Sequence, residues 1–297
     1  MSLTPSTAPN SLTLLAPAKL NLFLHITGRR ADGYHQLQTL FQLLDYGDQM
    51  EFEGTEAGVI SLHMTSTEHA KQNPDAHQAL NSLPNDQNLI VIAAKSLRQA
   101  ANNPALGARI TLHKRLPMGA GLGGGSANAA MTLLALNEIW QLKLDQNQLC
   151  ELGIKLGADV PVFIRGRSAW AEGIGEQLSP VNLGDSWYLV ISPECSVSTR
   201  EIFSHEHLTR NTQAIKMADF LAGSARNDCE IVTRKLYPQV DEAINWLSQF
   251  AEARMTGTGS SIFARFESED QAEAVLKELP ESLTGFIAKG IDKLSQI

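Results

Sequence analysis

The chain has 297 residues, 43% of them hydrophobic and 19% charged, with a formal net charge of −8. This composition excludes wholesale disorder, collagen and fibre, and the acidic balance argues against a general affinity for nucleic acid or an anionic membrane. The length allows one large domain or two ordinary ones, and two lobes with the substrate in a pocket are expected.

Three cysteines, Cys150, Cys195 and Cys229, stand at wide spacing with no Cys-x-x-Cys pair, as reduced cytosolic thiols do. Residues 1–11 are rich in Ser, Thr, Pro and Asn and predict a mobile tail. The first residues carry no basic cluster, and the apolar pieces near Leu12–Leu15 are too short for a signal peptide or membrane span, so a cytoplasmic protein is expected.

From Leu12 onward the elements can be read in order. Ala18–Thr27 alternates loosely and meets Asp32-Gly33, a tight-turn signal that predicts a hairpin. Strand-like pieces at Gln49–Glu53 and Val59–Met64 lead into a polar, Asn- and His-rich stretch, Ser66–Asp86, read as a surface excursion. Asn88 can cap a helix running to about Asn102, because Leu89, Ile92, Ala93, Leu97 and Ala100 recur at helical spacing. Ala108–His113 reads as a strand, a glycine-rich stretch follows from Pro117, and Ser126 to about Leu142 has the Ala, Leu and Met content of a buried helix. A shorter helix, Gln146–Leu156, is stopped by Gly157, and Val160–Ile164, Ser168–Glu172 and Trp187–Ile191 read as strands. Helices are predicted at Ala214–Leu221, Asp228–Leu236, Val240–Gln249 and Asp270–Glu278, with strands at Ser261–Phe266 and Gly285–Ala288.

The glycine-rich stretch carries the strongest chemical signal. Between Gly119 and Gly125, five of seven residues are glycine. Such a run lets successive N–H groups converge on one anion, and a helix starting near Ser126 adds the positive end of its dipole. A phosphate cradle is expected rather than a linker, which would not run between a strand and a buried helix. Gly119-x-Gly121-x-x-Gly124 formally matches the dinucleotide fingerprint, but the nearest acid, Glu138, lies inside the helical pattern and not at a second strand end. No lysine follows the glycines, which excludes a Walker A loop.

Two charged residues stand out by their surroundings. Asp159, between the Gly157 helix stop and Pro161, reads equally as a carboxylate held in a cleft or as a turn or capping aspartate. Lys19 sits between apolar residues in an extended run, so it either faces an anion or snorkels from an edge strand. Asn21 shares its strand face. His205-Glu206-His207 offers two imidazoles without a third ligand and reads as solvent-exposed, and Asn227-Asp228-Cys229-Glu230 reads as a helix cap.

The glycine motif without lysine, Pro117 to Ala127, resembles the central motif of the GHMP kinases, and Ala16-Pro17-Ala18-Lys19-Leu20-Asn21 and Met255-Thr256-Gly257-Thr258-Gly259-Ser260-Ser261 resemble the first and third. Within that superfamily, Ala18 to Leu22, Arg30 to His35, Leu122 to Ala130 and Gly157 to Pro161 look like the 4-diphosphocytidyl-2-C-methyl-D-erythritol kinases. The resemblance implies an α+β, two-lobed fold: an N-terminal lobe of the ribosomal protein S5 domain 2 type over residues 12–165, and an α/β C-terminal lobe over 166–297. It implies ATP as phosphoryl donor, held by Pro117, Met118, Gly119, Ala120, Gly121, Leu122, Gly123, Gly124, Gly125, Ser126 and Ala127, with Mg2+ carried by the nucleotide and no protein metal ligand assigned. Lys19 and Asp159 would be the catalytic pair. Asn21, Tyr34, His35, Phe203, Gly257, Thr258 and Gly259 would bind the acceptor, a cytidine diphosphate derivative of methylerythritol, in a step of non-mevalonate isoprenoid precursor synthesis. Tyr34 and His35 would contact the cytosine, with Phe203 as a second stacking face. A GHMP kinase for a smaller alcohol would not need those aromatics, and a non-catalytic nucleotide sensor would need neither Lys19 nor Asp159.

Overall fold

The computed structural model of the chain describes residues 10–31, 33–56, 58–66 and 86–295. Most of the predicted tail and of the Ser66–Asp86 excursion, together with Asp32 of the predicted turn, lies outside the described residues. The chain opens with a long antiparallel hairpin, β1 (Ser11–Arg29) and β2 (His35–Thr55), as the turn signal predicts. Both strands are far longer than the short pieces read from the sequence. Their apolar content is nearly continuous, so alternation marks only fragments of them. β2 pairs along its length with several partners in turn: β1 over most of it, β4 (Gly107–Lys114) at its far end, and two later strands in its middle. β3 (Ile60–Ser66) runs parallel to β4, and α1 (Leu89–Ala100) lies between them in the chain, with the Asn88 side chain accepting from the Ile90 N–H at 3.0 Å.

The predicted buried helix is α2 (Gly124–Ile139), whose sides are covered almost all round by α1, β1 and β2. It starts two residues before the predicted Ser126, so Gly124 and Gly125 form its first turn and not part of the loop. α3 (Gln146–Gly153) begins with a capping box from Asp145 and Gln148. Val160–Ile164, read as a strand, is instead the short helix α4 (Val160–Arg165). A five-residue apolar run has no period that separates buried strand from buried helix, and Pro161 in the first helical turn costs no hydrogen bond.

β5 (Ala169–Glu172) pairs with both β2 and β6 (Gln177–Pro180). β7 (Trp187–Pro193) then starts the second half of the chain, with α5 (Thr199–Ser204), α6 (Met217–Leu221), α7 (Glu230–Leu236), α8 (Pro238–Leu247), β8 (Ala253–Met255), β9 (Ile262–Phe266), α9 (Glu269–Leu276) and β10 (Leu283–Ile291). The sequence gives no reading for β6, α5 or β8, which are too short to show a period, and α6 is shorter than the Ala214–Leu221 expected. β10 pairs with β7 through most of its length and with Leu43 and Leu44 of β2 at its end, so the strand order β3-β4-β2-β10-β7-β9-β8 joins the two halves. Among the described residues three apolar clusters form the core: one under α1 and α2, one under α7 and α8, and one at the junction, built on Leu20, Phe23, Leu40, Leu44, Tyr188 and Phe263. No helix among the described residues is long and apolar enough to cross a membrane.

Candidate active site

Lys19 is placed by an irregularity of β1. The β1–β2 register shifts between Pro17 and Lys19, and the partner of Pro17 is Gly47, where a Cβ would stand 2.0 Å from the carbonyl oxygen of Ala16. Only a glycine admits that close approach. Beyond the shift, the Lys19 N–H donates to the carbonyl of Leu122 at 3.0 Å, fastening the strand to the glycine loop. The Lys19 Nζ donates to Asn21 Oδ1 at 2.5 Å and to the Gly121 carbonyl at 3.0 Å, and stands 3.4 Å from Asp159 Oδ2. An ammonium has three N–H bonds, and here three oxygens face them, which meets the cost of burying a cation that is 3% exposed.

Asp159 immediately precedes α4, and among the described residues its side chain makes no capping hydrogen bond to that helix. The carboxylate is 31% exposed at the cleft, so Lys19 is sealed in while Asp159 presents oxygen to a ligand. Asn21 is oriented from three sides: by Lys19, by its Nδ2 donating to Thr39 Oγ1 at 2.9 Å, and by its N–H donating to Thr256 Oγ1 at 2.9 Å.

The glycine loop alternates in conformation. Gly119, Gly121 and Gly123 have φ of 64°, 77° and 73°, while Ala120 and Leu122 between them are buried. Left-handed residues alternating with inward anchors turn backbone N–H groups outward in succession, the arrangement that cradles an anion. Gly123 then caps α2 with no side-chain capping bond, leaving the first N–H groups of the helix for a ligand. At Gly121 the restriction is double, since a Cβ would meet the Thr256 carbonyl oxygen at 2.3 Å in addition to the φ penalty. Gly121→Ala is therefore expected to raise the KM for ATP by about tenfold or more and to lower stability by ~1–3 kcal/mol, read from steady-state kinetics and urea unfolding.

The third glycine motif closes the loop from the C-terminal half. Thr256 Oγ1 accepts from Asn21 and donates to the Gly121 carbonyl at 3.4 Å. Gly257 and Gly259 have φ of 58° and 94°, and the turn is held from behind by Asn227, whose Nδ2 donates to the Met255 and Gly257 carbonyls at 2.9 and 2.8 Å. Thr258 Oγ1 lies 3.1 Å from Thr199 Oγ1 on α5. The cap expected from Asn227-Asp228-Cys229-Glu230 is not made, since α7 begins after Cys229 with no side-chain capping bond; Asn227 Oδ1 accepts from the Cys229 N–H at 3.0 Å, which fixes its amide where it braces the site.

These elements surround a cleft of about 670 Å³, lined by Lys19, Asn21, Asp159, every residue from Pro117 to Ser126, Gly257, Thr258, Thr199 and Phe203. Ala127 lies beneath it as a buried residue of α2, and Gly259 stands behind the third turn against Met255 and Thr233. Phe203 stacks on His35, with ring centroids 5.2 Å apart and planes at 26°. Tyr34, next to His35, is 62% exposed at the hairpin tip. Arg210, which the sequence does not single out, donates from Nε to His35 Nε2 at 3.1 Å.

Asp48, Lys114 and Asn128 also escape sequence reading. Asp48 is fully buried; its Oδ2 accepts from Lys114 Nζ at 2.6 Å and its Oδ1 from the N–H groups of Arg115 and Leu116, both at 2.8 Å, so it fixes the chain where β4 becomes the glycine loop. Lys114 and Asn128 line the cleft beside Gly124 and Gly125, and the buried Asn128 Oδ1 has no hydrogen-bond partner among the described residues. A lysine ending an apolar strand just before a glycine run is a signal that could have drawn attention to Lys114.

Residues 88–167 match the GHMP kinases N terminal domain, and residues 208–285 match the GHMP kinases C terminal domain. The 4-diphosphocytidyl-2-C-methyl-D-erythritol kinase of Marinobacter nauticus is 51% identical over 95% of this chain and 94% of its own length. The chain belongs to the 4-diphosphocytidyl-2-C-methyl-D-erythritol kinase family. A Pseudomonas aeruginosa protein of the same name is 52% identical over 94% of each chain. A solved 4-(cytidine 5'-diphospho)-2C-methyl-D-erythritol kinase superposes with a TM-score of 0.76 at 31% identity, over 94% of this chain and 100% of that one. Methanococcus jannaschii mevalonate kinase shares the fold, with a TM-score of 0.66 at 17% identity over 94% of this chain and 98% of that one.

Proposed function

We propose that the chain transfers the γ-phosphoryl group of ATP to the 2-hydroxyl of 4-diphosphocytidyl-2-C-methyl-D-erythritol, giving the 2-phosphate and ADP in the non-mevalonate route to isoprenoid precursors. It is an ATP-dependent small-molecule kinase of the GHMP type. The observation that carries the mechanism is the Lys19–Asp159 pair, 3.4 Å apart where the glycine cradle meets the rest of the cleft.

In this reading Asp159 accepts the proton of the acceptor hydroxyl, and Lys19 stabilises the alkoxide and the charge gathering on the transferred group. Backbone N–H groups from Gly119 to Ser126 hold the phosphates, and the positive end of α2 favours their charge. Asn21 positions the polyol; His35, Tyr34 and Phe203 hold the base; Gly257 and Thr258 close the far wall, with Gly259 shaping the turn behind them. Of the described residues lining the cleft, Lys19, Lys114 and Asp159 carry charge. A single carboxylate beside a phosphate cradle suits Mg2+, which keeps water and binds largely through the substrate's own phosphates, so the metal is assigned to ATP with no protein ligand. The division into lobes near residue 165 remains part of the reading, with β5 and β6 paired to the N-terminal sheet through β2. A cytoplasmic location completes it.

The test is ADP release from ATP with 4-diphosphocytidyl-2-C-methyl-D-erythritol, run beside alcohols that lack cytidine. Acceptor-dependent release is expected with the cytidine compound. Turnover only with the simpler alcohols would move the substrate assignment to another GHMP acceptor, and ATP binding without any turnover would make the chain a nucleotide sensor.

A further inference from the structure

We propose that Arg210 is a positioning residue that makes the base end of the cleft selective for cytosine over uracil, by fixing which nitrogen of His35 carries the proton; the inference rests on the cytidine-containing acceptor proposed above. The Nε of Arg210 donates to His35 Nε2 at 3.1 Å. A guanidinium keeps its protons at any pH at which a protein stays folded and offers no acceptor, so Nε2 is the bare nitrogen and a neutral ring holds its proton on Nδ1. The surroundings favour the neutral ring: burial, then the charges of Arg210 and Arg29, push the imidazole below its ordinary value.

The rest of the guanidinium fixes the partner face. Nη2 donates to the carbonyls of Phe203 and His205 at 3.0 and 2.7 Å, and Nη1 to that of Leu208 at 3.1 Å. One side chain thereby sets the tautomer of His35 and holds the backbone that carries Phe203, whose ring stacks on it. The planar fork of arginine is needed, because a lysine ammonium cannot direct donors to an imidazole and three carbonyls at once.

The two pyrimidines differ where such a donor is felt. Ring N3 of cytosine is a lone-pair acceptor, whereas N3 of uracil carries a hydrogen. A His35 Nδ1–H set against that edge completes a hydrogen bond with cytosine and opposes another donor in uracil, and an unmatched donor in a desolvated site is rejected far more strongly than a missing methylene. Freed from Arg210, the ring can carry its proton on either nitrogen and accept either base.

Nitrogen-15 NMR of the wild-type His35 ring near neutral pH should show a protonated Nδ1 and a bare Nε2, and Arg210→Met should show a mixture of tautomers. The ratio of kcat/KM for the cytidine acceptor to that for its uridine counterpart should fall about tenfold or more in Arg210→Met. The loss should sit in the KM of the cytidine acceptor, with the KM for ATP unchanged, and Arg210→Lys should not restore it. A wild-type ring protonated on Nε2 overturns the proposal, and needs no variant to be seen. So does an unchanged ratio, or an equal loss with both acceptors accompanied by a lowered Tm, which is the mark of a merely structural arginine. Equal use of both acceptors by the wild type likewise overturns the proposal and leaves the cytidine acceptor in place, whereas no turnover of the cytidine acceptor by the wild type overturns the reading beneath it; both are seen before any variant is made.

Discussion

Asp159→Asn is expected to lower kcat by about 10²–10⁴-fold while leaving the affinity for ATP nearly unchanged. The substitution keeps the shape of the side chain and an oxygen for Lys19, whose Nζ retains its bonds to Asn21 Oδ1 and the Gly121 carbonyl. What disappears is the group able to take a proton from the acceptor hydroxyl, because an amide oxygen is far too weak a base. Steady-state kinetics beside calorimetric titration of ATP separate the two quantities. A parallel loss of ATP binding would mean that Asp159 mainly orders the glycine loop through Lys19. Lys19→Met offers the contrast, since it removes the cation and strands the Asn21 and Gly121 oxygens together, so both binding and turnover should suffer.

The largest effect on stability is expected at Asp48. Asp48→Ala leaves the Lys114 ammonium and the N–H groups of Arg115 and Leu116 without their carboxylate in a fully buried place, and unfolding free energy should fall by ~3–5 kcal/mol. Because those three donors lie where β4 turns into the glycine loop, the KM for ATP should rise as well. Asp48→Asn keeps the oxygen that receives the two backbone N–H groups and gives up only the charge, so its cost should be smaller. Urea unfolding and the KM for ATP, measured on both variants, decide the point. A destabilised Asp48→Ala protein with an unaltered KM would assign Asp48 to the fold alone.

Both residues show what the sequence makes readable. The glycine run, Lys19 and Asp159 stand out because glycine density and charges in apolar surroundings are locally improbable, and such signals survive without knowledge of the fold. Asp48 follows a turn-like Asp45-Tyr46-Gly47 and looks like one more polar residue of a loop, yet β2 runs straight through it and buries it completely. Arg210 lies in a polar stretch with no period, and its importance depends on a hairpin tip brought from 175 residues away. Helices with a cap and an amphipathic face, such as α1, are legible to within a residue or two. Val160–Arg165 is not, because an apolar run buried on every side has the same composition as strand or helix, and only its position under α2 selects the helix. The length of β2 also escapes a local reading, since its hydrophobic pattern changes with each partner along it.

The hydrogen bonds that close the site have a consequence for how the molecule comes into being. Asn21 and Thr256 are 235 positions apart, and Lys19 and Gly121 are 102 apart. Contacts of such separation form after local ones, because the chain between them must first lose its freedom, and domains emerge from the ribosome N-terminal part first. Until Thr256 has been made and released, the glycine loop lacks it and the cleft lacks one wall. Turnover thus belongs only to a chain extended beyond Thr256, and one ended before it has no complete place in which to spend ATP.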